Sequence, residues 1–167
     1  MMKLSELGGS FTGGNSKWWK AKDGANKVRI VSDVFPFWKA FDRENKSSRQ
    51  YVTENGAKAD KEAKRRFAVY ILNRDEGSAL QVAEFGPTVM KQIYDLSINP
   101  DYKFEGLPPY DHTITRTGAG MDTEYSVVAA RSNTELTAEE QALVAAAEPL
   151  YKGFVENAED GDMFVPF

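Results

Sequence analysis

The chain has 167 residues, no cysteine, a single histidine and a formal net charge of −4. This length supports one hydrophobic core, and the lack of cysteine excludes disulfides, thiolate zinc sites and cysteine nucleophiles. No stretch approaches the ~20 apolar residues of a membrane span and the N-terminus has no apolar signal core, so we expect a cytoplasmic protein.

The first elements predicted along the chain are a flexible arm and two strands. Residues 1–16 carry four glycines with serine and threonine between them, which is typical of a flexible arm. Residues 27–31 alternate apolar and basic side chains, as a half-buried strand does, and residues 35–41 favour a second strand after a break at Pro36. We therefore expect a single folded domain to begin at Lys17 and to extend over residues 17–155.

A long polar excursion follows these strands. Residues 42–66 hold eight Lys or Arg and almost no apolar side chains. Connections longer than about fifteen residues are usually functional or disordered, and the basic character favours a function. Within the excursion we expect a turn at Asn55–Gly56 and a short charged helix over residues 57–66.

The rest of the domain predicts two hairpins separated by a helix. Residues 67–72 form a central strand that turns into residues 79–83, and a helix then runs from Gly86–Pro87 to Asn99–Pro100. A second hairpin joins residues 112–117 to residues 124–129, and a capping box at Thr137 starts a helix that Pro149 ends. A mainly β fold with inserted helices results, and five or six short strands favour a small closed barrel, with the OB-fold as the leading candidate by analogy.

The charges are segregated along the chain. Residues 17–74 carry a net charge of +8, whereas residues 75–167 carry −12. A basic region beside an acidic one indicates a site for a polyanion and a segment that competes for it.

Catalysis has little support in the sequence. Nucleophilic triads and phosphate-binding loops have no visible members. Acid pairs such as Asp75–Glu76 and Glu139–Glu140 could bind magnesium, but at a turn and a helix start such pairs usually serve solvation and capping. His112 is interpreted as an ordinary strand residue. We predict a protein without enzymatic activity, cofactor or metal.

Binding of a single-stranded nucleic acid has more support, because aromatic and basic residues interleave in the basic region. Aromatic rings stack on unpaired bases, and neighbouring cations neutralise phosphates. Some of these rings must instead fill the core. The candidate nucleic-acid-binding residues are Lys17, Trp18, Trp19, Lys20, Lys27, Arg29, Phe37, Trp38, Lys39, Phe41, Arg43, Lys46, Arg49, Tyr51, Arg65, Arg66 and Tyr70.

Strand alternation divides some of these residues between two faces. We expect an inward face and an opposite face toward a possible groove. The inward side chains are Val28, Ile30, Phe67, Val69 and Ile71. The groove-facing side chains are Lys27, Arg29, Arg66 and Tyr70.

The last residues, 156–167, predict an acidic tail that binds a partner protein. Its tip, residues 162–167, resembles the end of bacterial single-stranded-DNA-binding proteins, in which aspartates precede Ile-Pro-Phe. Such a segment is too small to fold alone, and an ordinary frayed terminus is the alternative. The candidate partner-binding residues are Asp160, Asp162, Phe164, Pro166 and Phe167.

Residues 19–31 and 67–73, and more weakly the hairpin over residues 111–128, resemble phage single-stranded-DNA-binding proteins of the helix-destabilising type, which have an OB-fold. The resemblance spans residues 17–137. It implies non-sequence-specific coating of unpaired strands in phage DNA replication, recombination and repair in the host cytoplasm, with the tail recruiting replication or recombination proteins. It also implies groove positions for Arg29, Trp38 and Tyr70. The zinc subdomain of the T-even type has no counterpart in this cysteine-free chain, and we leave open a monomer or a dimer.

Two rival functions remain open. An adaptor or inhibitor of a host or phage protein could use the acidic residues 75–167 to mimic DNA. A metal-dependent nuclease would need magnesium and would cleave the strand that it binds.

Overall fold

The computed structural model describes residues 17–165, in which seven antiparallel strands form one open sheet accompanied by short helices. The strands are β1 (Gly24–Ile30), β2 (Phe35–Asp42), β3 (Ser47–Tyr51), β4 (Lys64–Asn73), β5 (Ala79–Phe85), β6 (His112–Thr117) and β7 (Glu124–Ala129). The helices are α1 (Glu54–Lys58), α2 (Pro87–Ile98), α3 (Ala138–Ala146) and α4 (Tyr151–Asn157). The predicted arm over residues 1–16, and Pro166 and Phe167, lie outside this range. The predicted mainly β class with helices is confirmed.

Strand β4 lies at the centre of the sheet. One of its edges pairs with β5 from Phe67 to Asn73. The other edge pairs first with β2 and then with β1, so these two strands follow one another along it. The sheet continues from β2 to β3 and from β1 through β6 to β7.

The elements with a clear hydrophobic period were predicted correctly. The β4–β5 hairpin turns through Gly77, whose φ of 62° lies in the left-handed region that glycine tolerates. Helix α2 starts with Pro87 at its first turn, and α3 has the full capping box between Thr137 and Glu140. The β6–β7 hairpin covers the predicted residues.

The polar excursion over residues 42–66 differs from its prediction. Residues 47–51 form β3, and the helix covers Glu54–Lys58, so Asn55–Gly56 lies inside α1 rather than in a turn. The helix does not extend to residue 66, because β4 already begins at Lys64. Strand β3 had no apolar alternation to reveal it, since none of its side chains is fully buried. The described pairings also leave the sheet open, where we expected a closed barrel.

Both faces of β4 are buried, and each contributes to a different core. Val69 and Ile71 belong to the first core, which α2 covers with Val89 and Ile93. Ala68 faces the second core, which also contains Phe35, Phe37, Val82 and Phe154. Helix α4 supplies Phe154, and its ring lies 4.7 Å from that of Phe37. The β4 face predicted to line a groove is therefore partly covered by a helix that the sequence did not predict.

The backbone of β7 is protected by a side chain of α2. Gln92 donates its Nε2 to the Tyr125 carbonyl at 2.9 Å and accepts from the Val127 amide at 2.9 Å. One amide side chain thus satisfies both a donor and an acceptor of this strand, as sheet edges require. Over residues 17–165, no helix has the length and apolar character needed to cross a bilayer.

Candidate functional site

Two adjoining cavities form a long surface depression, which we call the trough. Their volumes are about 1120 Å³ and about 1660 Å³. They share Lys39, Arg66, Glu84 and Pro87, which therefore mark the middle of the trough. The larger cavity extends along the β2–β3 hairpin, and the smaller one extends toward Trp18 and Trp19.

The larger cavity is rich in cations that have no acidic partner. Arg43, Lys61, Lys64 and Arg65 line it, and none of them forms an ion pair with another residue in the range 17–165. Phe41 lies among them and is 57% exposed. An exposed aromatic ring offers a face on which an unpaired base can stack. This end of the trough therefore combines available positive charge with an available ring.

Asp60 fixes two other residues of this cavity. Its Oδ2 accepts from the Arg49 Nε at 2.9 Å and from the Tyr51 hydroxyl at 2.8 Å. These hydrogen bonds lower the pKa of Asp60 to about 2, and the bond to Asp60 raises the pKa of Arg49. Burial together with the bond to Asp60 raises the pKa of Tyr51. Arg49 is thus partly neutralised, and its role is to hold the wall of the cavity.

Trp38 is held between a strand neighbour and a cation. It pairs with Tyr51 on β3 and with Arg65 on β4. The Arg65 guanidinium lies over the indole, 4.5 Å from the ring centroid, and 5.7 Å from the ring of Phe67. A base could stack on this face of Trp38 only if Arg65 moved away.

A partly buried carboxylate in the middle of the trough lies between two cations. Glu84 Oε1 accepts from the Arg66 Nε at 3.0 Å, and Glu84 Oε2 lies 3.2 Å from the Lys39 Nζ. All three side chains are one-fifth to one-third exposed. The Arg66 guanidinium also lies close to Gly86, where a Cβ would come within 2.9 Å of Nη1.

The smaller cavity is bounded by the segment that precedes β1. Trp19 donates its amide to the Val82 carbonyl and Val82 donates to the Lys17 carbonyl, which ties this segment to β5. Trp19 packs edge-on against Phe85 and supports the first core, whereas Trp18 is 44% exposed and contacts Phe154. Lys20 also lines this cavity. One tryptophan therefore anchors the segment and the other stays accessible.

Three residues predicted to line the groove lie elsewhere. Arg29 is only 5% exposed, donates to the Thr134 hydroxyl and carbonyl, and pairs with Asp111 at 3.6 Å. Phe37 is fully buried in the second core. Tyr70 packs against the same core and donates its hydroxyl to the Glu148 carbonyl. The C-terminal part of the chain covers all three side chains, including Arg29 and Tyr70 on the face that alternation assigned to a possible groove.

The remaining predicted cations lie on the surface away from the trough. Lys17 is exposed and its Nζ lies 5.9 Å from the Trp18 ring. Lys27 is exposed beside Asp111, and Lys46 lies in the β2–β3 turn with a φ of 50°. The trough thus gathers most of the predicted residues, namely Trp18, Trp19, Lys20, Lys39, Phe41, Arg43, Arg49, Tyr51, Arg65 and Arg66.

The charged trough residues that were not predicted individually include two cations and two acids that position cations. Lys61 and Lys64 belong to the basic excursion, so its charge density was a signal for them. Asp60 and Glu84 are acids, and a search for cations and aromatics passes over acids even where they position cations. Only the paired register of β4 and β5 brings Glu84 beside Arg66.

The C-terminal residues do not extend freely into solvent as expected. Asp160 is 5% exposed and accepts from the amides of Val52 and Thr53 at 2.8 and 2.9 Å and from the Thr53 hydroxyl. Phe164 packs against the rings of Phe35 and Tyr151. Asp160 is therefore an anchor of the fold rather than an exposed acid, whereas Asp162 is exposed. Pro166 and Phe167 lie outside the described residues, and partner binding by the tip stays a prediction.

His112 is completely buried in β6, beside Tyr110. Neither ring nitrogen has a hydrogen-bond partner among residues 17–165. Burial lowers the pKa of His112 from 6.5 to about 4, so the ring is neutral at pH 7. No cluster of three His, Asp or Glu suited to a metal occurs in the described part of the chain.

No protein-family model, curated protein or solved structure matches this chain.

Proposed function

We propose that this protein binds single-stranded DNA without sequence preference, in the trough between the β2–β3 hairpin and Trp18. It would coat and protect unpaired strands during phage DNA replication, recombination and repair. No covalent step is needed, because binding the unpaired strand lowers its free energy relative to the duplex. The C-terminal tip would recruit replication or recombination proteins.

One observation carries the proposal: four cations that have no acidic partner among residues 17–165 line the same cavity as the exposed ring of Phe41. Arg43, Lys61, Lys64 and Arg65 supply the charge that phosphates require, and binding them would release counterions from the strand. A base stacked on an aromatic ring gains about 1 to 3 kcal/mol whatever its identity. Charge and stacking together favour an unpaired strand over a duplex, whose bases are already stacked.

We further propose that the sheet is a variant of the OB-fold. Consistent with that, β4 is long, pairs with neighbours on both edges, and lies between two separate cores. The OB-fold binds oligonucleotides across a strand face and adjoining loops, which is how the trough lies on β2, β3 and β4.

Fluorescence titration tests the function directly. Trp18 and Trp19 line the trough, so an oligo-dT strand should quench their emission. The logarithm of the affinity should fall linearly with the logarithm of salt concentration, with a slope near −0.7 for each phosphate bound. Binding that ignores salt, or that prefers duplex DNA, would contradict the proposal.

The acidic-adaptor function is less well supported, because several of the acids after residue 74 are engaged within the fold. Asp111 pairs with Arg29 and Arg74, Glu140 pairs with Arg74, and Asp160 is buried. Absence of DNA binding together with capture of a protein that normally binds DNA would favour the adaptor. Magnesium-dependent cleavage of the oligonucleotide would favour a nuclease.

A further inference from the structure

We propose that Glu84 occupies a phosphate subsite in the middle of the trough and thereby sets the strength of DNA binding. This inference rests on the proposed function and assigns a role to a residue that no pattern of cations and aromatics points to. In the free protein the Glu84 carboxylate takes the place between Lys39 and Arg66 that a phosphodiester takes in the complex.

The sheet register places the three side chains together. Glu84 pairs with Ala68, and Arg66 lies two residues before Ala68 on the same face of β4. Lys39 on β2 pairs with Lys64 on β4, and Arg66 lies two residues further along β4. Directly opposite and diagonal neighbours on one sheet face are within reach of long side chains. Because Ala68 is small, Glu84 can extend along this face to both cations.

The contacts of Glu84 are those that a phosphate makes. Lys39 Nζ donates to both oxygens, to Oε2 at 3.2 Å and to Oε1 at 3.4 Å, and Oε1 also accepts from the Arg66 Nε at 3.0 Å. Arg and Lys bind phosphate oxygens with the same donors and at similar distances. The cations are therefore already positioned for a tetrahedral anion and need only exchange partners.

Because Glu84 lies in the middle of the trough, this exchange affects the binding of a strand that fills both cavities. Lys39, Arg66 and Glu84 line both cavities, so a strand that spans the trough must pass them. The surrounding cations Arg43, Lys61, Lys64 and Arg65 have no acidic partner in the described part of the chain. Glu84 neutralises the cations at the centre, as Asp60 neutralises Arg49 in the wall, and a negative charge kept at the centre opposes the phosphate that must replace it.

The test compares three proteins: the wild type, Glu84→Gln and Glu76→Gln. Glu76 is exposed in the short 3-10 turn after β4, away from the trough, so its substitution removes the same charge from the chain. Each protein is titrated with oligo-dT over a series of salt concentrations. Far-UV circular dichroism and a urea unfolding curve verify that the variants fold.

Glu84→Gln should bind about five- to tenfold more tightly near 0.1 M salt, because two half-buried cations lose their internal partner. Its salt slope should stay within about 0.7 of the wild-type value, because the same phosphate contacts Lys39 and Arg66 in both complexes. Glu76→Gln should stay within about twofold of the wild type, since an exposed distant charge is largely screened.

A second measurement uses the wild-type protein alone. The Nε–H resonance of Arg66 should shift on addition of oligo-dT as its acceptor changes from Glu84 to phosphate, and the Nε–H of Arg49, bound to Asp60, should shift less. Wild-type binding with no gain in Glu84→Gln, an equal gain in Glu76→Gln, or an unshifted Arg66 signal would overturn the role of Glu84 alone. Absence of binding by all three proteins would overturn the proposed function as well.

Discussion

Arg65 covers the face of Trp38, with its guanidinium carbon 4.5 Å from the centre of the ring. The two residues are directly paired on β2 and β4, so Arg65, a cation of the trough, is supported by the ring of Trp38 in the free protein. A cation–π contact of this kind contributes about 0.5 to 1 kcal/mol at a partly exposed site.

Two substitutions of Arg65 distinguish the contribution of its charge from that of its planar guanidinium group. Arg65→Lys keeps the charge but loses the planar group, whereas Arg65→Ala loses both. We expect each variant to lower the free energy of unfolding by about 0.5 to 1 kcal/mol in urea denaturation. DNA affinity should fall clearly only for Arg65→Ala, because the lysine can still contact a phosphate. Equal losses of affinity in both variants would show that the planar group itself contacts DNA.

The unpaired cations of the larger cavity should set the salt dependence of binding. Substituting both Lys61 and Lys64 with alanine removes two phosphate contacts, so the salt slope should become shallower by about 1.4. Stability should change by less than about 0.5 kcal/mol, since both side chains are exposed and form no ion pair within residues 17–165.

The matched control replaces Lys103 and Arg131, which are exposed and lie outside the trough. It removes the same charge from the chain. If the control double variant changed the slope as much as Lys61→Ala with Lys64→Ala, net charge rather than the trough would govern binding.

Sequence patterns predicted the sheet better than they predicted the site. The strands and α2 carry hydrophobic periods that their burial dictates, so β4, β5, β6 and β7 were found with near-correct bounds. Strand β3 and α1 carry no such period, because β3 lies at the sheet edge and α1 buries only Ala57.

The site depends on which strand face remains open, and alternation alone cannot decide this. Arg29 and Tyr70 were assigned correctly to the face opposite Val28 and Val69, but that face is covered by residues 134 and 148–154. The covering segment lies more than sixty residues away in sequence. Local patterns therefore predicted many of the residues that line the trough around the β2–β3 hairpin. They misplaced the residues of those strands that a distant part of the chain covers.

Asp160 should be essential for stability rather than for partner binding. Its buried carboxylate accepts from two backbone amides and the Thr53 hydroxyl, and Gly56 leaves space for it, since a Cβ there would lie 2.1 Å from Oδ2. Asp160→Ala leaves these donors unsatisfied and should lower the free energy of unfolding by about 3 kcal/mol. Asp162→Ala, at an exposed position, should change it by less than about 0.5 kcal/mol.

This anchor also changes how the tail must be tested. A deletion from residue 156 would remove Asp160 and Phe164 and would lower stability together with any binding. Deleting residues 165–167 alone preserves both contacts, so a loss of partner binding in that variant would be due to the tip. Equal urea midpoints for Asp160→Ala and the wild type would contradict the anchoring role.

His112 should make the protein less stable in mild acid. Its pKa is lowered by burial from 6.5 to about 4, so between these values the unfolded chain binds a proton that the folded chain does not. Stability is therefore complete above pH 6.5 and falls by about 3 kcal/mol by pH 4.

His112→Leu removes this proton linkage and, because the ring nitrogens have no partner in the described structure, leaves no donor unsatisfied. Urea unfolding at pH 7 and pH 4 should show the wild type losing about 3 kcal/mol more than His112→Leu, since acids such as Asp60 titrate equally in both. Identical losses in the two proteins would mean that His112 is not the group that links folding to protons in this range.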